Sequence, residues 1–301
     1  MDKIINILKP TGMTSHDVVS VVRRILGTKK VGHTGTLDPD ASGVLPICVG
    51  KATKVSELIL NKEKTYLCEL SLGASTDTYD SSGSVTKRVE EFSVSKQELQ
   101  KALESQLGEI DQLPPVYSAL KVNGKRMCDL VRSGREDEIV INPRKVNIKS
   151  MELIRFDGKK AVFVTKCSKG TYIRSICNDI GEILGCGAHM SMLIRNSSGK
   201  FDIKDSITLE ELEEKFNEDT LDPYLYDIDY ALSDFHKLVL MDTALKYYTN
   251  GGAIDERRFL GGDYTAEDEF VRVYSEDGFI GLGKLTQEEK FLVVKGEKKF
   301  I

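Results

Sequence analysis

The chain has 301 residues, 40% of them hydrophobic and 30% charged, with a net charge of −5 at neutral pH. That is room for one large domain and a small one, each with a core of its own. No apolar run approaches the ~20 residues of a membrane span, MDKIINILKP lacks the organisation of a signal peptide, and the six cysteines form neither a CxxC pair nor a cluster with the four histidines. A cytoplasmic protein with free thiols, no metal and no membrane attachment is expected.

The acidic total does not exclude a polyanionic partner. Residues 201–240 hold 12 acidic and 3 basic side chains, whereas residues 121–150 hold 8 basic and 4 acidic. Nucleic-acid binding depends on local positive surface rather than on the sum. An ordinary solvated face is the plain alternative for the basic stretch.

In chain order, a short apolar strand at Ile4 to Leu8 leads to Lys9 and Pro10, which read as a turn. Thr14 with Asp17 makes a capping box, and Val18, Val22 and Ile25 share one helical face before Gly27. The stretch VGHTGTLDPDASGVLPICVGKATK, residues 31–54, follows. Its four glycines and two prolines predict a long bent loop, neither helix nor regular strand. Such a loop presents side chains, here His33, Thr34, Thr36, Asp38 and Asp40. Pro39 biases Asp38 towards extended backbone and so fixes where its carboxylate points. Asp-Pro also opens ordinary turns, so a catalytic and a structural Asp38 stand close together on the loop alone. A phosphate loop is excluded: Gly43 and Gly50 are too far apart, and Ala52 follows Lys51.

VSELILN predicts a short helix. TYLCELSLG alternates as a strand, with Tyr66, Cys68, Leu70 and Leu72 on one face. Ser95 and Glu98 cap a further helix. LPPVYSALKVNGKRMCDLVRSG then gives a Pro-stiffened segment, an Asn123-Gly124 hairpin and a short basic helix. This arm, about residues 121–135, is the candidate grip on a partner. Two strands joined at Asp157-Gly158 lead to the helix of TYIRSICNDIGEIL. Its first turn holds Arg174, a cation that opposes the helix dipole unless an anion meets it. AHMSMLIRNSSGKF predicts another strand, and Thr208 with Glu211 caps an acidic helix. From about Phe235 the texture changes to short strands around DTALKYYTN, a small, separately folded β-rich domain.

Four of these segments occur together in one order: ILKPTGMTS, the 31–54 block, LPPVYSALKVNGKR, and CSKGTYIRSIC with MLIR beyond it. Together they resemble the TruB family of tRNA pseudouridine synthases, closely over residues 4–201 and only in layout beyond. The resemblance implies an α+β pseudouridine synthase fold with a mixed, largely antiparallel sheet. A catalytic domain at 1–233 and a PUA-like RNA-binding domain at 236–301 would follow. It makes Asp38 the catalytic aspartate, Tyr66 the active-site tyrosine and Arg174 its paired arginine. Tyr172 and Leu193 line the site, and His33 packs where the target base leaves the stack. Lys9 and Pro10 match a motif that supports the loop. Lys9, Lys121, Lys125 and Arg126 are assigned to RNA. The implied substrate is uridine 55 in the T-loop of tRNA, bound by a monomer.

The chemistry agrees with the residues. Turning uridine into its C-glycoside loses no group and changes no oxidation state, so neither cofactor nor metal is expected. A carboxylate can attack covalently or act as base, and Arg174 is expected to keep Asp38 ionised by lowering its pKa. Two rivals remain at this point. A non-catalytic RNA-binding protein would need only the basic hairpin and the small β-domain. A glycosidase would need Asp38 and Asp40 as a carboxylate pair about 5–9.5 Å apart.

Overall fold

The computed structural model describes residues 1–118, 120–122, 124–288 and 290–300, and only the backbone of Lys121, Val122, Arg126 and Glu136. The chain opens with β1 (Ile4–Lys9) and α1 (Ser15–Ile25), the latter capped by Thr14 and Asp17 in a reciprocal box. Its buried Val18, Val19, Val22 and Ile25 follow the helical spacing, and Gly27 ends it in the left-handed region at φ +61. Then come β2 (Val31–His33), β3 (Ser42–Val49) and α2 (Ser56–Leu60).

The long loop expected over residues 31–54 is therefore shorter. Only residues 34–41 are loop, and SGVLPICV is an interior strand buried at seven of its eight positions. An apolar run this continuous needs cover on both faces, and that outweighs the local cost of its glycine and proline.

After β4 (Lys64–Leu72), whose burial alternates without a break, come β5 (Ala74–Thr76), β6 (Val85–Arg88), α3 (Lys96–Glu104) and β7 (Gly108–Gln112). The expected basic hairpin is present as β8 (Lys121–Val122) and β9 (Lys125–Arg126), followed by α4 (Met127–Arg132). Its tip residue Asn123 lies outside the described residues. The long pair β10 (Arg144–Phe156) and β11 (Lys160–Cys167) leads into α5 (Ile173–Ile183) and β12 (Ala188–Ser198). Next are β13 (Phe201–Asp202), α6 (Leu209–Asn217), β14 (Leu225–Tyr226) and α7 (Ile228–Ala231).

Among the described residues ten of these strands form one sheet, in the order β14-β1-β3-β12-β4-β11-β10-β7, with β2 on β3 and β13 on β12. Every pairing is antiparallel except β3 with β12, where Ile194 and Arg195 run parallel to Ser42 and Gly43. This one parallel join splits the sheet into two halves. α1 and α6 cover the β1–β3 half with one apolar core, and α3 and α5 cover the β4–β11 half with another.

The chain ends with β15 (Lys237–Leu240), α8 (Asp242–Thr249), β16 (Ile254–Asp255), β17 (Phe259–Gly262), β18 (Phe270–Ser275), β19 (Gly278–Glu288) and β20 (Phe291–Lys299). These six strands form a second sheet, with a core built on Leu238, Tyr248, Val271 and Val294. This β-rich part is less separate than its sequence texture suggests. Leu282, Phe270, Phe279 and Phe300 share a further core with Ile4, Val44, Cys48 and Ile59 of the main sheet.

Candidate active site

The site lies where the two halves of the sheet meet. The loop over residues 34–41 is braced from beneath by the KPTGMTS segment. Lys9 is fully buried and its ammonium donates to the carbonyls of Pro10 (2.7 Å), Pro39 (3.1 Å) and Ala41 (2.7 Å). Gly12 N donates to Pro39 O at 2.9 Å, and Ser15 Oγ accepts from Leu37 N at 2.8 Å. The RNA contact assigned to Lys9 is corrected here: an ammonium enclosed by three carbonyls, two of them from the loop, reaches no ligand surface, and it acts by holding the loop. Burial also lowers its pKa to about 8, against the pull of Asp38.

Asp38 makes the turn that Asp-Pro favours, its carbonyl accepting from Ala41 N at 3.1 Å, and its side chain is still free for other work. The carboxylate meets Arg174 at the start of α5, with Oδ1 accepting from Nη2 at 3.1 Å and Oδ2 lying 3.0 Å from Nε. Arg174 is buried, whereas Asp38 keeps 37% of its side chain open. The guanidinium also donates to Thr78 O at 3.2 Å and stands 3.7 Å from Asp80. Those anionic and carbonyl partners answer the question a cation in a first helical turn poses.

The expected effect of Arg174 on Asp38 needs correction in its net direction. Arg174 does pull the carboxyl pKa down, but loss of surrounding water is the larger effect and Asp80 adds to it, so the pKa stands above its ordinary value.

Asp38 and Arg174 wall a cavity of about 350 Å³ with Tyr66, Tyr172 and Leu193, so these sequence candidates do converge. Tyr66 is 8% exposed on β4, and burial raises its pKa, keeping the phenol neutral. Tyr172 precedes α5 and is clamped by Gln112, whose side chain accepts from Tyr172 N at 2.8 Å and donates to Tyr172 O at 3.0 Å. His33 stands on β2 and is not among the residues of this wall. Its Nδ1 accepts from Gly35 N at 3.3 Å, and burial with Arg195 nearby lowers its pKa, favouring the neutral ring. Lys125 is exposed on its hairpin, while the side chains of Lys121 and Arg126 lie outside the described residues. Leu120, at the base of that hairpin, does line the cavity. Asp40 is exposed on the loop, and a second, smaller cleft holds Asp38, Asp40 and Asp80 together.

Sequence reasoning missed Asp80, Gln112, Lys64 and Arg195, the last two of which also wall the cavity. Strand parity could have found Lys64, since it falls in phase with Tyr66, Cys68, Leu70 and Leu72. Among the described residues no cluster of His, Cys, Asp and Glu is arranged to hold a metal ion, and no helix is long and apolar enough to cross a membrane.

A family model for the N-terminal domain of TruB family pseudouridylate synthases matches residues 23–173, and a model for the tRNA pseudouridylate synthase B C-terminal domain matches residues 174–233. The chain is 64% identical over 301 residues to a tRNA pseudouridine synthase B from Clostridioides difficile (strain 630), with all of both chains covered. The chain belongs to the TruB family. A second TruB relative, the tRNA pseudouridine synthase B of Alkaliphilus oremlandii (strain OhILAs), is 45% identical over 96% of this chain and 95% of its own. Among solved structures, an H/ACA RNP bound to a substrate RNA containing 2′-deoxyuridine matches 99% of this chain and 85% of its own. That match has a TM-score of 0.76 and 27% identity. The TruB family model ends at residue 173 and the next begins at 174, inside the first turn of α5, so the Asp38–Arg174 pair spans both.

As a member of a pseudouridine synthase family with the pseudouridine synthase fold, the chain is an isomerase. Membership in this family disposes of the rival that binds RNA without chemistry, and it leaves a glycosidase pairing of Asp38 with Asp40 without support.

Proposed function

We propose that this enzyme converts uridine 55 in the T-loop of tRNA to pseudouridine, with Asp38 as the catalytic carboxylate. The observation that carries this is the half-open carboxylate of Asp38, fixed by Arg174 at 3.0 Å on the wall of a cavity that also holds Tyr66. The names of the relatives support tRNA as substrate, and the solved relative with bound substrate RNA supports RNA as the ligand class.

The target base leaves its stack to enter the cavity, at a cost of about a few kcal/mol. Tyr66 offers it a ring face, with Leu193 and Tyr172 completing the wall. Asp38 meets the sugar or the base as the N1–C1′ bond breaks, either as nucleophile or as the base that takes a C2′ proton. The ring turns, and C5 bonds C1′ as Asp38 is released or returns the C2′ proton. C5 passes its proton to solvent with the help of Tyr66 while N1 takes one up. His33 packs beside the point of exit. Residues 1–233 act as the catalytic part, and residues 236–301 as a PUA-like part that holds RNA with the basic hairpin. No cofactor enters any step.

The test is Asp38→Asn on a synthetic T-arm hairpin, with pseudouridine read by carbodiimide adduct mapping. Asn keeps the shape and removes the charge. Pseudouridine should be undetectable while RNA affinity is equal to wild type or tighter. Retention of a tenth of the wild-type rate would refute Asp38 as the catalytic carboxylate, and Asp40→Asn would be examined next.

A further inference from the structure

Two buried cations stand in the cavity wall without a part in the steps above. Lys64 is 5% exposed and Arg195 is 1% exposed. Their donors are directed at carbonyls. Lys64 Nζ donates to Leu60 O and to Lys62 O at 2.6 Å, while Arg195 donates from Nε to Val44 O at 2.6 Å and from Nη2 to Gly35 O at 3.2 Å. Among the described residues neither forms an ion pair with a carboxylate; Arg195, Lys169 and Cys167 face Lys64, and the neutral Tyr66 hydroxyl faces Arg195. Buried charge without a counter-ion is costly.

The pair also sits at a defined place. Lys64 and Tyr66 occupy the same buried face of β4, and Arg195 on β12 is the cross-strand partner of Tyr66. A Cβ placed on Gly35, in the loop that carries Asp38, would lie 3.6 Å from Arg195 Nη1 and 4.0 Å from Lys64 Cε. The two side chains thus converge beneath that loop and beside the ring proposed to receive the base.

The reaction makes an anion there. When N1–C1′ breaks, its electron pair stays on N1 and spreads over the two ring carbonyl oxygens of uracil, while the sugar's positive charge meets Asp38. Bond formation from C5 to C1′ uses an electron pair of the ring. C5 then loses its proton and N1 carries one, so the product is an isomer of the substrate. Resting on the function proposed above, we infer that Lys64, with Arg195 behind it, stabilises the uracil anion during this interval. The ammonium N–H not directed at Leu60 or Lys62 donates to a ring carbonyl oxygen. Lys64 stays protonated and transfers nothing.

The burial that lowers the Lys64 pKa to about 8 is consistent with a cation that lacks its counter-ion until the base arrives. With the C4 oxygen as the one that Lys64 meets, the arrangement favours uracil over cytosine, whose amino group there offers a donor to an ammonium.

Full-length Lys64→Met, Lys64→Gln and Lys64→Arg proteins test this on the T-arm hairpin. Single-turnover rate, RNA affinity by filter binding and thermal unfolding are read for each. Loss of one preorganised charge-stabilising donor lowers kcat by about 10²–10³-fold, and that loss is expected for Met and Gln with affinity within about threefold of wild type. Gln keeps a donor without the charge, and Arg, which keeps the charge, should recover most of the rate. If Lys64→Met fails to fold, Lys64→Gln carries the same test. A wild-type rate in folded Lys64→Gln, or a rate loss that merely tracks weaker affinity, overturns the inference. Wild-type enzyme that leaves the hairpin unchanged would instead overturn the function on which it rests.

Discussion

Arg174 approaches Asp38 within 3.0 Å, yet the carboxyl pKa still lies above its ordinary 3.8, because the water removed from around it matters more than the cation gained. A group whose folded pKa is raised stabilises the fold at low pH and loses that contribution as pH rises through the folded value. Asp38→Asn should therefore be at least as stable as wild type at neutral pH, and its relative advantage should shrink as pH falls to about 4. Urea unfolding at both pH values measures this. A variant that is markedly less stable at neutral pH would mean that the carboxylate serves the fold rather than the chemistry. Arg174 is not stranded by the change, since Thr78 O and Asp80 remain beside it.

Across the sheet, Lys9, Gly43, Arg195 and Tyr66 lie in one row, each the register partner of the next. Gly43 has φ +111, and a Cβ there would fall 2.3 Å from Arg195 O. That oxygen belongs to the backbone and cannot swing aside as a side-chain tip would. Gly43→Ala should therefore part β3 from β12, with a loss of about 3 kcal/mol or more from strain and overpacking together. Urea denaturation reads it, and a loss below about 1 kcal/mol would show that the join can widen without harm. The hairpin of β8 and β9 carries a different expectation. Replacing Lys121, Lys125 and Arg126 with Ala should weaken RNA binding and flatten its salt dependence, the log–log slope changing by ~0.7–0.9 for each phosphate no longer neutralised. An unchanged slope would make the hairpin ordinary surface.

Much of this level was legible in the sequence. The capping boxes of Thr14, Ser95 and Thr208 and the alternation of β4 are local signals, and all four appear as expected. Reading residues 31–54 as one loop gives too much weight to glycine and proline and too little to the apolar run between them. Lys9 and Lys64 escape a reading by residue type because lysine is seldom buried, although each continues the phase of a buried strand. Asp80 had no local signal at all. It becomes significant only when the fold brings it to Arg174, 94 positions later in the chain.

At the scale of the whole molecule, the C-terminal sheet has its own core and a second seam in which Phe270, Phe279 and Phe300 cover Ile4, Cys48 and Ile59. Lys51 and Lys54 donate across that seam to the carbonyls of Phe300 (3.0 Å) and Lys299 (2.8 Å). Truncation after Ser233 should therefore leave a catalytic part with a raised KM for the hairpin RNA and a melting temperature about 5 °C or more lower. Calorimetry with steady-state kinetics checks both, and an unchanged melting temperature would show that the seam adds nothing to stability.

The parallel join of β3 with β12 also sets a timetable. β4 pairs with β11 and β12, and β3 pairs with β12, so the residues of the cavity wall come from sequence positions between 35 and 195. At a synthesis rate of about 5–20 residues per second, a ribosome that has just made Tyr66 needs ~6–26 s more before Arg195 exists. For most of that interval Asp38 has no Arg174, and β4 lacks its partner β12 until the end of it. An unfinished chain thus keeps one edge of β4 unpaired and lacks a closed cavity, and the wall is completed in one late step when β12 docks.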